Sequence, residues 1–196
     1  MSNKLGHKCD QLAAHENTVF LDVFPVRWPA DLGAINPDTF RQCGFGGAAT
    51  LNYGTGQIGL YGPDDLKSLA EKLNAAQTVA GFNCLSFDQA VIAGAGIDTS
   101  RLHWFDLMAS IREQVGHGCS LADLVKANFG ISHAIPLEQH REQILKQNQI
   151  MLLQKAVNAV NHMARLFTRG IEAGELLVPE RLTGKLVSVK LNWRQI

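Results

Sequence analysis

Residues 18–24, Thr-Val-Phe-Leu-Asp-Val-Phe, form an apolar run of β-branched and aromatic residues broken by one carboxylate, Asp22. Apolarity without alternation reads as a buried strand, since a half-solvated strand shows period-two patterning. Pro25, Pro29 and Pro37 then exclude a long helix and mark a loop. The buried strand needs cover on its faces, and the rest of the chain has to supply it.

Downstream punctuation divides the chain into short elements. Phe45–Tyr53 and Gln57–Tyr61 flank Gly54-Thr55-Gly56 and read as a hairpin. Gly44-Phe-Gly-Gly47 lacks the Lys and Ser/Thr of a phosphate-binding loop and is taken as the lead-in to a strand. Pro63 opens a helix with Asp64 and Asp65 in its first turn and Leu66, Leu69, Ala70 and Leu73 on one face. Thr78–Phe82 is a short strand, and Ser86 is placed to cap a helix running to about Ala93. His103–Phe105 is another short strand, followed by a helix over Asp106–Val115 with Asp106 as its cap.

Ser120-Leu-Ala-Asp123 starts a further helix that ends at Gly130. Residues 138–169 are helical by composition, in one piece or two. Leu176–Val178 and Leu186–Leu191 form a terminal hairpin around Thr183-Gly184-Lys185. Strands first, then alternating strands and helices, then a helical end define an α/β chain with a mixed sheet and helices on both faces. Residues 1–16 are expected to be a polar leader and 17–196 a single domain that includes the terminal hairpin.

Composition narrows the function classes. An apolar content of 46% with 18% charged residues belongs to a globular chain, not a disordered one. Lys plus Arg and Asp plus Glu both number 18, so the overall basic excess of a strong autonomous nucleic-acid binder is missing. Cys9, Cys43, Cys84 and Cys119 lie too far apart for a structural zinc site and read as reduced thiols. No apolar run reaches the length of a membrane span, and the expected location is cytoplasmic.

Several local phrases resemble the DEDD 3′–5′ exonuclease superfamily, whose fold is ribonuclease H-like. The family's first-strand Asp-x-Glu corresponds to Asp22-Val23-Phe24, and its Gly-x-Asn-x-x-x-Phe-Asp to Gly81-Phe82-Asn83-Cys84-Leu85-Ser86-Phe87-Asp88. Phe105-Asp106-Leu107, the Ser120–Leu124 segment and Phe129-Gly130 also look like predicted bacterial ribonuclease H-like proteins. Counting back from Leu166-Phe167, the last helix puts Lys155 at the family's tyrosine and Ala159 at its final aspartate. The resemblance spans roughly residues 17–193 and is most specific in the middle third.

What the resemblance implies is a two-metal site: two Mg²⁺ or Mn²⁺ ions about 3.5–4 Å apart, neutralised and positioned by four carboxylates. Asp22 and Asp88 stand at family positions, whereas Phe24 and Ala159 replace the other two acids. Asp22 and Asp88 are therefore expected to bind metal weakly at best. Between Glu142 and Glu172 there is no Asp or Glu, so sliding the last helix restores nothing. His162, one turn from Ala159, is the possible substitute, either as a ligand for Mn²⁺ or as an acid/base group.

No cofactor is expected, with Mg²⁺ or Mn²⁺ entering only if the site has been rebuilt. Lys146, Lys155, Arg165 and Arg169 on the last helical stretch, with Asn83, are the candidates for contact with nucleic acid or a protein partner. A solvated charged face is the competing reading for the four cations. Trp28, Trp104 and Trp193 are packing residues or base-stacking platforms. The expected function is a non-catalytic exonuclease-like subunit of a nucleoprotein complex, with an active exonuclease built on Asp22, Asp88, Asp106 and His162, or a pure protein-interaction module, as alternatives.

Overall fold

A computed structural model describes residues 15–33, 35–132 and 137–196. Five strands make the main sheet: β1 (Thr18–Pro25), β2 (Phe45–Asn52), β3 (Ile58–Tyr61), β4 (Thr78–Gly81) and β5 (Trp104–Asp106). Their order is β3-β2-β1-β4-β5. The first three pair antiparallel, while β4 and β5 run parallel to β1. This is the mixed α/β architecture of the ribonuclease H type, with β1 at its centre.

Alternation along β1 explains why its sequence does not alternate. Phe20 and Phe24 join one core with Ala49 and Leu51. Val19, Leu21 and Val23 join a second core on the opposite face. Successive side chains point to opposite faces, so a strand covered on both sides is apolar throughout. The odd-numbered face is covered by α2 (Leu66–Asn74), through Leu69 and Leu73, and α3 (Asp88–Gly94), through Val91 and Ile92. The even-numbered face is covered by α4 (Leu107–Val115), α5 (Leu121–Phe129) and α7 (Gln149–Ala173).

Local chemistry sets the element ends. The proline-rich loop closes on a short helix, α1 (Pro37–Gln42), because the Asn36 side chain accepts the Thr39 N–H at 3.0 Å and Pro37 fits the first helical turn. Pro63 opens a single 3₁₀ turn that leads into α2. The cap expected of Ser86 is not made. Its hydroxyl turns back to Asn83 Oδ1 at 2.8 Å, and α3 begins two residues later, after Phe87. Ser120 does cap α5, accepting the Asp123 N–H at 3.0 Å, and Gly130 ends that helix with a left-handed backbone.

The late helical stretch is two helices, α6 (Leu137–Leu145) and α7, with Asn148 capping the second through the Met151 N–H. The terminal hairpin forms as β6 (Glu175–Pro179) and β7 (Leu186–Lys190), a separate two-stranded sheet. Asn128 of α5 holds it by exchanging hydrogen bonds with the Leu177 backbone at 2.8 and 3.0 Å.

Trp193 is a core residue and not a stacking platform: it is buried, stacked on Phe167 at 5.9 Å, and its indole N–H reaches Ser110 at 2.8 Å. Trp28 and Trp104 are half-buried. Cys43 and Cys84 are buried free thiols, Cys119 is a half-buried one, and Cys9 lies outside the described residues. So does most of the expected leader, although His15 is buried edge-on against Phe167. Among the described residues no helix is long and apolar enough to cross a membrane.

Candidate functional site

The site grows from the point where β4 stops. The parallel ladder between β1 and β4 pairs Thr18, Val19 and Phe20 and goes no further. Beyond it the Val23 N–H finds a different acceptor, Oδ1 of Asp88 at 2.8 Å. A buried backbone donor needs such a partner, and Asp88, first residue of α3, supplies it across the top of the sheet.

The segment between β4 and α3 explains its own residues. A Cβ on Gly81 would lie 2.5 Å from that of Cys84, so only glycine lets the loop fold back there. Asn83 takes a left-handed backbone with φ of 61°, which asparagine tolerates better than most residues. Its own N–H and that of Leu85 bond to the two oxygens of Asp106, at 2.9 and 3.1 Å. The same carboxylate caps α4 by accepting from Met108 and Ala109 at 3.0 and 3.1 Å. Asp106 is thus a buried knot of four backbone hydrogen bonds.

Above these acids α6 and α7 close a cavity of about 270 Å³ lined by Asp22, Asn83, Asp88, His140, Lys155 and Ala159, among others. The two acids expected at the site are brought together, and Lys155 stands with them. Burial pushes the Asp22 carboxyl up to about 7, against the pull of the Lys155 ammonium. Burial first, and the neighbouring Asp22 second, hold Asp88 well above the usual carboxylate range, although the Val23 N–H favours its charged form. Burial lowers Lys155, with Asp22 opposing the shift. Both carboxyls are thus shifted toward their protonated forms, and the Lys155 ammonium beside Asp22 opposes that shift.

His140 was not among the sequence candidates. Burial, then Lys155, lower it to about 4, so it lines the cavity as a neutral ring, edge-on to Trp28 at 5.9 Å. No local signal marks it in the sequence; only the packing of α6 over β1 and α7 brings it in. The candidate substitute His162 is half-buried on α7, one turn beyond Ala159, and does not line this cavity.

Phe24, where the resemblance leads us to expect an acid, lies on the same face of β1 as Asp22. It pairs with Gly47 across the β1–β2 ladder, and its ring takes the space that a side chain on Gly47 would need. A Cβ on Gly47 would come within 2.5 Å of Phe24 Cζ, and one on Gly46 within 3.0 Å of Cδ2. The glycine-rich phrase read as the lead-in to a strand is thus the seat of an aromatic ring. On its far side that ring borders a second hollow of about 380 Å³, with Ile144 and Leu152.

The four cations grouped by sequence part company. Lys155 is in the cavity. Lys146 is exposed and pairs with Glu142 at 2.6 Å. Arg165 lies over the Phe129 ring, 4.4 Å from its centroid, and shares a separate groove with Arg169.

No family model matches the chain, and no curated protein matches it. Among solved structures it is similar to the crystal structure of Trypanosoma brucei RNase D, with a TM-score of 0.51 and 12% identity. The match covers 87% of this chain and 61% of that one, so the chain spans less than two thirds of the length of its structural neighbour. At that identity the likeness extends to the fold alone. The chain carries an exonuclease-like, ribonuclease H-type α/β fold.

Proposed function

We propose that this chain is a non-catalytic member of the exonuclease-like fold, serving as a nucleic-acid-proximal or partner-docking scaffold in a nucleic-acid-processing complex. The observation that carries the reading is Lys155 beside Asp22 and Asp88 in the cavity. Buried carboxylates need a compensating cation, and a tethered ammonium supplies one without any ion. A two-metal reaction needs the opposite, a set of free acids able to neutralise both ions. The donors present do not fit such a pair. Phe24 is sealed into the core, Ala159 has no ligand atom, and Asp88 spends one oxygen on Val23.

The alternative enzyme, rebuilt on Asp22, Asp88, Asp106 and His162, meets two further obstacles. Asp106 is committed to four N–H donors, and His162 stands outside the cavity lining. Incubation of a labelled single-stranded oligonucleotide with Mn²⁺ or Mg²⁺ tests the proposal. Intact substrate is expected for the wild type and for Asp88→Asn alike. Cleavage that disappears in Asp88→Asn would overturn it. Salt-dependent gel shifts with DNA and RNA separate a nucleic-acid-proximal role from a pure protein-binding module, which would give none.

A further inference from the structure

The second half of α7 carries a feature that the cavity does not use. Arg165 and Arg169 sit one turn apart on the outer side of the helix and line a groove of about 430 Å³ with Phe129, Thr168 and Glu172. That volume falls within the range of small-ligand sites, roughly 300–1,000 Å³. Among the described residues neither arginine forms an ion pair; the two pairs present are Arg141–Asp31 and Lys146–Glu142. Arg169 is half-buried in the groove wall, while Arg165 is exposed. At 1.5 Å per residue Arg169 lies about 21 Å along the helix from Lys155, so this groove is a site apart from the cavity.

We infer that the Arg165–Arg169 groove binds the phosphodiester backbone of a single-stranded nucleic acid. The inference rests on the nucleic-acid-proximal reading and assigns the contact to this groove. Guanidinium groups present planar forks that match phosphate oxygens two at a time. Arg165, stacked on Phe129, adds a flat cation–aromatic surface on which a base can lie, a combination an acidic peptide would not use. Glu172 stands at the rim and opposes an anion. Thr168 contributes no free donor, because its hydroxyl is already shared between Tyr53 and the Ala164 carbonyl.

Fluorescence anisotropy with a labelled mixed-sequence 20-mer, as DNA and as RNA, over a salt series tests this. Arg165→Ala and Arg169→Ala are each expected to weaken binding about 3–10-fold, and the double variant is expected to flatten the log–log salt slope by roughly 1.4. Glu172→Gln is expected to tighten binding at least twofold, a gain that misfolding could not imitate. Lys146→Ala, already ion-paired elsewhere, should change affinity less than twofold. Unchanged affinity and slope in the double variant overturn the inference while leaving the nucleic-acid-proximal reading intact. Wild type that binds no oligonucleotide overturns both, and so does tighter binding to a poly-glutamate peptide than to either oligonucleotide. Whether the chain cleaves nucleic acid is a separate matter, answered by the oligonucleotide incubation with metal.

Discussion

Phe24 and Gly47 fit as ring and seat: the ring lies where a side chain of residue 47 would have to be. The aromatic ring at position 24 is thus accommodated by the strand beside it. An acid at 24 would leave a hole above two glycines, and a larger residue at 47 would displace the ring. An aromatic side chain at 24 is built into the packing of β1 and β2.

This pairing predicts a coupled pair of variants. Gly47→Ala should cost about 1–3 kcal/mol through overpacking. Phe24→Ala should cost about 3–5 kcal/mol through the cavity it leaves. The double variant should lose less than the sum, because removing the ring frees space for the new methyl. Urea denaturation midpoints measure all three, and strict additivity would refute the pairing.

Stability should depend on pH in the direction opposite to most carboxylates. Asp22, near 7 when folded and 3.8 in its reference state, binds more protons in the native chain over that interval. Its contribution is fully present below about pH 4 and is lost as pH rises through 7. Asp88 shifts the same way. His140, lowered to about 4, works against them, since the unfolded chain protonates it first as pH falls below 6.5. Subtracting the melting profile of Asp22→Asn from wild type removes the histidine contribution. The difference should show wild type losing stability relative to the variant from pH 4 to 8, and a flat difference would contradict the burial of Asp22.

Lys155→Met should destabilise the chain by roughly 1–3 kcal/mol at pH 8, or about 2–4 °C of melting temperature per kcal/mol. At pH 5, where the acids hold their protons, the loss should be smaller. Adding Asp22→Asn should recover most of the pH 8 loss, because the charge left alone is then gone. Equal losses at both pH values would mean that Lys155 acts through packing alone.

Asp106 is expected to be architectural. Asp106→Ala strips acceptors from Asn83, Leu85, Met108 and Ala109 and should cost roughly 2–4 kcal/mol. Asp106→Asn, which keeps one acceptor oxygen, should cost less. Denaturation followed by circular dichroism distinguishes them, and a neutral Asp106→Ala would free this residue for another role.

Much of this molecule is legible in the order of its residues. The apolar run around Asp22 specifies a central strand, Gly54-Thr55-Gly56 a hairpin, and Ser120 with Gly130 the ends of a helix, because each rests on chemistry within a few positions. The Gly81–Asp88 phrase and the absence of acids between Glu142 and Glu172 also lie on the surface of the sequence. Tertiary structure alone decided what the cavity contains. Asp22, Asp88, His140 and Lys155 come from four separate elements, and their charges are set by mutual burial that no local pattern encodes. The same holds for Phe24 and Gly47, 23 positions apart in sequence and face to face across a ladder. Local rules fix which elements form; which side chains meet depends on how those elements share a buried volume.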